Sequence, residues 1–554
     1  MSILSQQAKE SKQNSLFVKG ISLSVLTLLS RILGLVREMT KAHFLGTTFH
    51  SDAFGIAFMI PNLFRRLFAE NSVSVAFIPA FKNHLEECGT EEGKKKTQEF
   101  ISATFTLAAF LTALFVSAGM IFTPWILRLF FSPENEEAFS EAAVLTRIMF
   151  PYLLVISIAA FFQGILNGLK IFSPSGFTPV LFNLTVIACT YGLSRFTKNP
   201  ARAMAIGVVS GGTVQALFQL PFVLKSGWRI TFTALRKAFS NEGTQTVLRL
   251  IGPTVIGMAG YQVNDIVSSA LAARAGEGIV SSLQYSLRLQ ELILGICAVT
   301  IGTVILPDLT GFAKKNDWSS FNRLLTLSIK IMALISLPIT FYSLAMNESM
   351  ITLVFAGGKF NGESVRMTKE IFSFHIAGLF FVAVNRIISP AFYAQQNTKS
   401  PTAAGLAGFA VNIALASALS GKFGGKGIAL ALTLASAVNT AMLFFFLSRI
   451  QKIQIGTVAR DSVLYAVKII LLSAAAVIPV CLAKSRILHL FSGHARIVSH
   501  GIPLLITAAL FALAGIILLA LSRDSVLQSL IKKMSGHRRT MHGSESGKEN
   551  ERRL

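Results

Sequence analysis

Charged residues stand where charge is costly. The stretch from Leu29 to Pro79 reads LSRILGLVREMTKAHFLG, a short polar gap, then DAFGIAFMIPNLFRRLFAENSVSVAFIP. Both halves are long and apolar enough for membrane helices, yet they carry Arg31, Arg37, Glu38, Asp52, Arg65, Arg66 and Glu70. A charge at mid-bilayer costs at least ~2.5–3.5 kcal/mol on insertion scales, so each needs a cavity, a partner or a ligand. With a helix start near Phe17, Arg31 lies roughly 20 Å along the axis, too deep to snorkel back to the starting surface. One reading pairs Arg31 with Glu38, seven residues on and on the same face. The other gathers the arginines around a cavity for an anionic substrate. It is favoured because arginines outnumber acids here.

The second half of the chain adds Arg288, in LQYSLRLQELILG. Guanidinium is planar, always charged, and forks onto phosphate oxygens. Several of them walled by apolar helices suit a pyrophosphate better than a single carboxylate. Arg31 and Arg37 are six apart, about 240° round a helix, so they do not share a face. Gly34 between them permits a local bend. A separate set, Asp265 with Asn264 beside it and Asn385 and Asn412 further on, has the chemistry to hold Na⁺ or cycle a proton. A structural Asp hydrogen-bonded to neighbouring helices is the plainer reading of that set.

These residues need elements to position them, and the composition says which kind. The chain has 554 residues, 52% hydrophobic and only 14% charged, with mean hydropathy +0.59. Apolar stretches of about 18 residues or more recur, each long enough to span ~30 Å of hydrocarbon. Long non-alternating runs choose helices over a β-barrel. The net charge of +24 reflects Lys and Arg collected in cytoplasmic loops rather than a nucleic-acid partner. The four scattered cysteines support neither a zinc site nor a disulfide framework. No metal-pyrophosphate DDxxD, HExxH, P-loop or GxSxG occurs, so an enzyme is disfavoured.

The apolar pattern predicts about fourteen helices: 17–45, 53–83, 98–130, 141–168, 174–195, 202–226, 247–273, 279–310, 322–345, 366–394, 399–421, 425–450, 463–485 and 500–523. Basic residues fall mostly in the loops that are cytoplasmic when both termini are inside. An internal repeat is visible. VAFIPAF at Pro79 matches TVILPDL at Pro307, and Ser173-Pro174 matches Ser400-Pro401, offsets of about 227–228 residues. Parallel repeats of this kind place a transporter site between two halves near the midplane. Pro and Gly inside the spans, such as Gly252-Pro253 and Pro390, serve either as fixed kinks or as hinges.

SRILGLVRE, DAFGIAFMIPNLFRRLFAE and AFIPAF closely resemble the signature of the MurJ (MviN) family of bacterial lipid II flippases, in the multidrug/oligosaccharidyl-lipid/polysaccharide exporter superfamily. Further matches are FPYLLVISIAAFFQGILNGLKIFSPSGFTPVLFN, IGPTVIG, ILGICAVTIGTVILPDL, GGKF and SPAFYAQQNTKSPT. Together they span about residues 15–450. The resemblance implies an all-α polytopic membrane protein with two six-helix lobes related by a pseudo-two-fold and two extra C-terminal helices. The parts would be a cytoplasmic tail (1–16), an N-lobe (17–226), a C-lobe (247–450), a lipid-tail groove on helices 13 and 14 (463–523) and a basic disordered tail (524–554).

Carried over motif by motif, the resemblance implies that Arg31, Arg37, Arg65 and Arg288 bind the pyrophosphate. Ser30, Glu38 and Asp52 support them on the same ground, and Arg66 and Glu70 are supporting candidates from the charged set itself. Glu38 stands where the family has Asp, and Leu287 where it has the Asp before Arg288. The family's helix-7 acid falls at about Ser268, not at Asp265, which speaks against sodium coupling; Asp265 and Asn412 are ion-coupling candidates on the residue reading alone. The implied function is movement of undecaprenyl-pyrophosphate-linked peptidoglycan precursor from the inner to the outer leaflet of the bacterial cytoplasmic membrane by alternating access. Lipid II, membrane lipids and other cell-wall synthesis proteins are the implied partners. No cofactor is expected; Na⁺, H⁺ and membrane potential remain open as energy sources. The alternatives are a flippase for another polyprenyl-linked glycan or a multidrug exporter. Drug exporters usually take cations, which an arginine-lined cavity repels.

Overall fold

The computed structural model describes residues 25–66, 73–131, 136–450 and 452–528. The expected 1–16 tail, Glu70 and nearly all of the 524–554 tail lie outside them. Among the described residues the regular structure is helical, as the apolar pattern requires, and one β-bridge (Gly357 with Phe360) is isolated. The chain divides into two compact units. The first holds Met1–Arg288, Phe355–Thr368 and Leu415–Ile428; the second holds Leu289–Val354, Lys369–Ala414 and Ala429–Leu554.

The first unit contains α1 (25–45), α2 (Phe49–Phe64), α3 (Ile78–Glu86), α4 (Glu91–Leu127), α5 (Glu136–Met149), α6 (Pro151–Gly168), α7 (Ser173–Leu193), α8 (Pro200–Lys225), α9 (Leu235–Ser240) and α10 (Glu242–Ala275). Their starts are written in the sequence. Thr90, Asn199 and Asn241 each accept a first-turn N–H with a side-chain oxygen, from Gly93, Arg202 and Thr244. Such caps are worth about 0.5–2 kcal/mol. Pro174 and Pro200 open α7 and α8, where a missing N–H costs nothing. The expected helix over 141–168 is one span, Glu136–Gly168, in which Pro151 marks the junction of α5 and α6. Phe77, Phe81, Phe100 and Phe161 form the aromatic centre that joins α3, α4 and α6. Glu141 of α5 holds Arg202 of α8 in a two-pronged pair at 2.7 and 3.0 Å.

α11 (Ile279–Lys314) starts in the first unit and continues into the second. Its start has a cap from another helix. The buried carboxylate of Asp52 accepts the N–H groups of Gly278 at 2.6 Å and Ser281 at 2.8 Å. The Tyr285 hydroxyl donates to the Gly46 carbonyl at 3.0 Å. α2 therefore sets where α11 begins.

The second unit holds α12 (Trp318–Phe355), α13 (Gly362–Ala377), α14 (Leu379–Tyr393), α15 (Lys399–Ser448), α16 (Ile455–Leu490) and α17 (Ile502–Leu521), apart from the short segments given to the first. α12 leaves helical geometry at Met346, and the Ala345 carbonyl there accepts Lys484 of α16. As one straight helix the fifty residues of α15 would run about 75 Å, over twice a hydrocarbon core. Gly424, at φ 54°, breaks it. Gly408 backs onto Ala435 and Asn439, and Gly427 onto Leu419. α15 is therefore two antiparallel spans, as expected from 399–421 and 425–450. Both repeated Ser-Pro pairs lie in the first turn of their helices, α7 and α15.

Among the described residues eight helices are long and apolar enough to cross a membrane, or nine with α13 and α14 as one span bent by 41°. α1, α2, α10 and α11 are not among them: α2 has only 16 residues, and charged side chains interrupt α1. These four are the helices that bear the charged set. α17 buries only Pro503 and Thr507 and is apolar all round, the pattern of a helix in lipid.

Candidate functional site

Four helices of the first unit wall a cavity of about 500 Å³, into which α1, the turn after α2 and the start of α11 add charge. On α1, Ser30, Gly34 and Arg37 fall in one stripe at helical spacing, with Arg31 about 100° beside it. Both arginines line the cavity although they do not share a face, because the cavity wraps the flank of α1 and the side chains are long. Past Phe64 the chain widens into a π-helical turn holding Arg65 and Arg66. Arg65 Nε donates to Asn62 Oδ1 at 2.9 Å, which fixes its guanidinium. Arg288 enters from α11. α6, α7 and α8 close the remaining sides with Tyr152, Asn183, Gln215 and Gln219.

The charge balance of this lining decides what it can hold. Five arginines line the cavity, Arg31, Arg37, Arg65, Arg66 and Arg288, and no Asp or Glu does. Like charges held together in a partly desolvated space repel, and an anion bound among them relieves that repulsion. Arg37 is also steadied by the rings of Phe58 at 5.9 Å and Phe182 at 5.7 Å.

The acids are placed elsewhere. Glu38 accepts from Arg37 at 2.8 Å, not from Arg31. Seven residues along a helix is about 10 Å, beyond ion-pair reach, and Arg31 leans toward the helix start, away from Glu38. Asp52 lies outside the cavity lining, at the start of α11. Asp265 is exposed on α10 and faces Arg66 at 3.8 Å. Asn412 is buried in the second unit. Among the described residues no His, Cys, Asp or Glu group is set to hold a metal.

Sequence reasoning missed the neighbours that aim the arginines. Lys41 is 2% exposed, donates to Gln284 Oε1 at 2.7 Å and lies 5.1 Å from the Tyr285 ring. It shares a chamber of about 40 Å³ with Arg37, Glu38 and Gln284. The available signal was spacing: Lys41 is four residues after Arg37, and Gln284 four before Arg288, so each pair shares a face. The packing of Gly34 against α11 is the second missed feature. A methyl there stands 2.5 Å from Arg288 Nη2, and one at Gly55 stands 2.7 Å from Gln284 Nε2. The two glycines let side chains of α11 lie flat on α1 and α2. Gly34→Ala is expected to insert normally and unfold within about 1–3 kcal/mol of the native protein, while displacing Arg288. Its signature is weakened anion binding with nearly intact thermal stability in detergent.

The sequence profile of the family described as Lipid II flippase MurJ matches residues 41–498. This chain belongs to that family. A probable lipid II flippase MurJ of Treponema pallidum is 46% identical over 94% of this chain and 99% of its own length. The lipid II flippase MurJ of Burkholderia cenocepacia is 31% identical over 78% of this chain and 84% of its own. A solved lipid II flippase MurJ in an inward closed conformation superposes with a TM-score of 0.72 at 26% identity, covering 91% of this chain and 99% of that one. An inward-facing multidrug MATE transporter shares the fold at a TM-score of 0.64 and 14% identity. The chain is thus a multi-pass membrane protein of the lipid II flippase MurJ family.

Proposed function

We propose that this protein carries lipid II, the polyprenyl-pyrophosphate-linked peptidoglycan precursor, from the inner to the outer leaflet of the bacterial cytoplasmic membrane. The observation that carries the reading is the cavity of five arginines without a carboxylate. A pyrophosphate brings at least two negative charges and several acceptor oxygens, and guanidinium forks answer both. Arg31, Arg37, Arg65 and Arg288 take the pyrophosphate. Ser30 and Arg66 border it, and Asp52 and Glu38 hold the helices and Arg37 in place. Membership of the MurJ family supports the same substrate. The cationic lining opposes the drug-exporter alternative, since those substrates are usually cations.

The cargo moves by alternating access, with both termini in the cytoplasm as the distribution of Lys and Arg supports. The apolar α16 and α17 offer the polyprenyl chain a lipid-like surface. The test is purified protein in liposomes loaded with fluorescent lipid II, with leaflet position read by a membrane-impermeant quencher. Transfer faster than in protein-free liposomes is expected. Transfer at the protein-free rate, or equal transfer of a cationic drug, would refute the reading. A lipid-linked glycan without the pentapeptide moving equally fast would widen the substrate to other polyprenyl-linked glycans. Imposing a potential, a proton gradient or a Na⁺ gradient in turn identifies the driving force.

A further inference from the structure

A second cavity lies wholly in the second unit and shares no lining residue with the arginine cavity. It encloses about 550 Å³, between the start of α12, the start of α16 and the two residues Ser525 and Val526 beyond α17. The transport step proposed above makes no use of it.

Its lining is amphipathic. Arg323 is exposed in it, and Lys330 is half-buried one side of it. Lys330 Nζ stands 3.6 Å from Asp461 and 6.0 Å from the ring of Tyr465. Asp461 is the one carboxylate of the lining, so two cations outweigh it. Asn322 contributes an amide whose Oδ1 is buried and has no hydrogen-bond partner among the described residues. A buried acceptor left open in a polar cavity calls for a donor from a bound molecule or water. The floor is apolar. Leu327 and Val526 join a cluster built on Ala333, Leu337 and Ile469.

The far wall is held firmly. Asp524, 1% exposed, accepts from Lys468 at 2.7 Å and from the N–H groups of Val526 and Leu527 at 3.1 and 3.0 Å. At the rim Lys452 lies 5.3 Å from the ring of Trp318. Tryptophan at the start of a membrane helix marks headgroup depth. The positive ends of α12 and α16 add to the field there.

We propose that this cavity binds the phosphate ester of an anionic membrane lipid. Arg323 and Lys330 take the phosphate oxygens, and Leu327 and Val526 take the first carbons attached to it. The extra C-terminal helices thereby gain a role apart from the cargo: they complete a lipid site on the second unit.

The experiment uses the full-length protein, delipidated in detergent and titrated with phosphatidylglycerol, phosphatidylcholine or inorganic phosphate, with bound copies counted by native mass spectrometry. Phosphatidylglycerol is expected to bind in preference to phosphatidylcholine. Arg323→Gln, at an exposed side chain that folding does not need, weakens it about fivefold, the size of one basic residue near an anionic headgroup. Asp461→Asn tightens it. Lys315→Gln removes the same charge outside the lining and leaves binding unchanged. Equal retention of the two lipids, or equal loss from Lys315→Gln and Arg323→Gln, would overturn the proposal. Inorganic phosphate binding as tightly as the lipid would overturn the lipid assignment in favour of a soluble phosphate. None of these outcomes bears on the arginine cavity.

Discussion

Arg288→Ala is expected to abolish transport of lipid II while leaving the protein in the membrane at its normal level. The side chain is one of five guanidiniums around the cavity and comes from a different helix than the other four. Charge-assisted hydrogen bonds contribute about 1.5–3 kcal/mol each, so its loss weakens pyrophosphate binding roughly 10- to 150-fold. Membrane level and melting temperature together separate a loss of binding from a loss of folding. Arg288→Lys keeps the charge but not the fork, and falls between the two. The measurements are fluorescent lipid II transfer in liposomes and melting temperature in detergent. Wild-type transfer by Arg288→Ala, and likewise by Arg65→Ala, would remove the arginines from the mechanism.

Asp52→Ala is expected to fail differently, by loosening α11. Asp52 is 5% exposed, and its two oxygens accept two backbone N–H groups at the start of that helix. Truncation leaves both amides buried and unanswered, at about 1–3 kcal/mol each. The start has no easy substitute, since Gly278 at φ +80° has the Thr47 carbonyl 2.4 Å from where a methyl would stand. Asp52→Asn retains one acceptor and is expected to recover about half the loss. The readout is melting temperature beside transport, both of which fall. A stable Asp52→Ala protein that binds but does not move lipid II would instead give Asp52 a direct part in transport.

The arginines were legible because their cost in a membrane helix is a property of residue type alone. The all-helical class and the break in α15 were legible for similar reasons: apolar run length and a glycine-rich turn are local. The role of Asp52 was not, because its partners lie 226 and 229 residues away and nothing local distinguishes a helix cap for a distant segment from a binding acid. The Arg31–Glu38 pairing failed on axial distance, which helical phase alone does not report. Lys41 escaped notice because a lone lysine near a helix end normally reaches water. Here Gln284 and the faces of Phe54 and Tyr285 enclose it.

The bare backbone at Gly34 beneath the Arg288 guanidinium ties together two positions that are far apart in the gene. A lineage that gains a β-carbon at the first must shorten or redirect the second, and one that loses the arginine frees the glycine to drift. In an alignment of many relatives, these two columns should therefore change together or not at all.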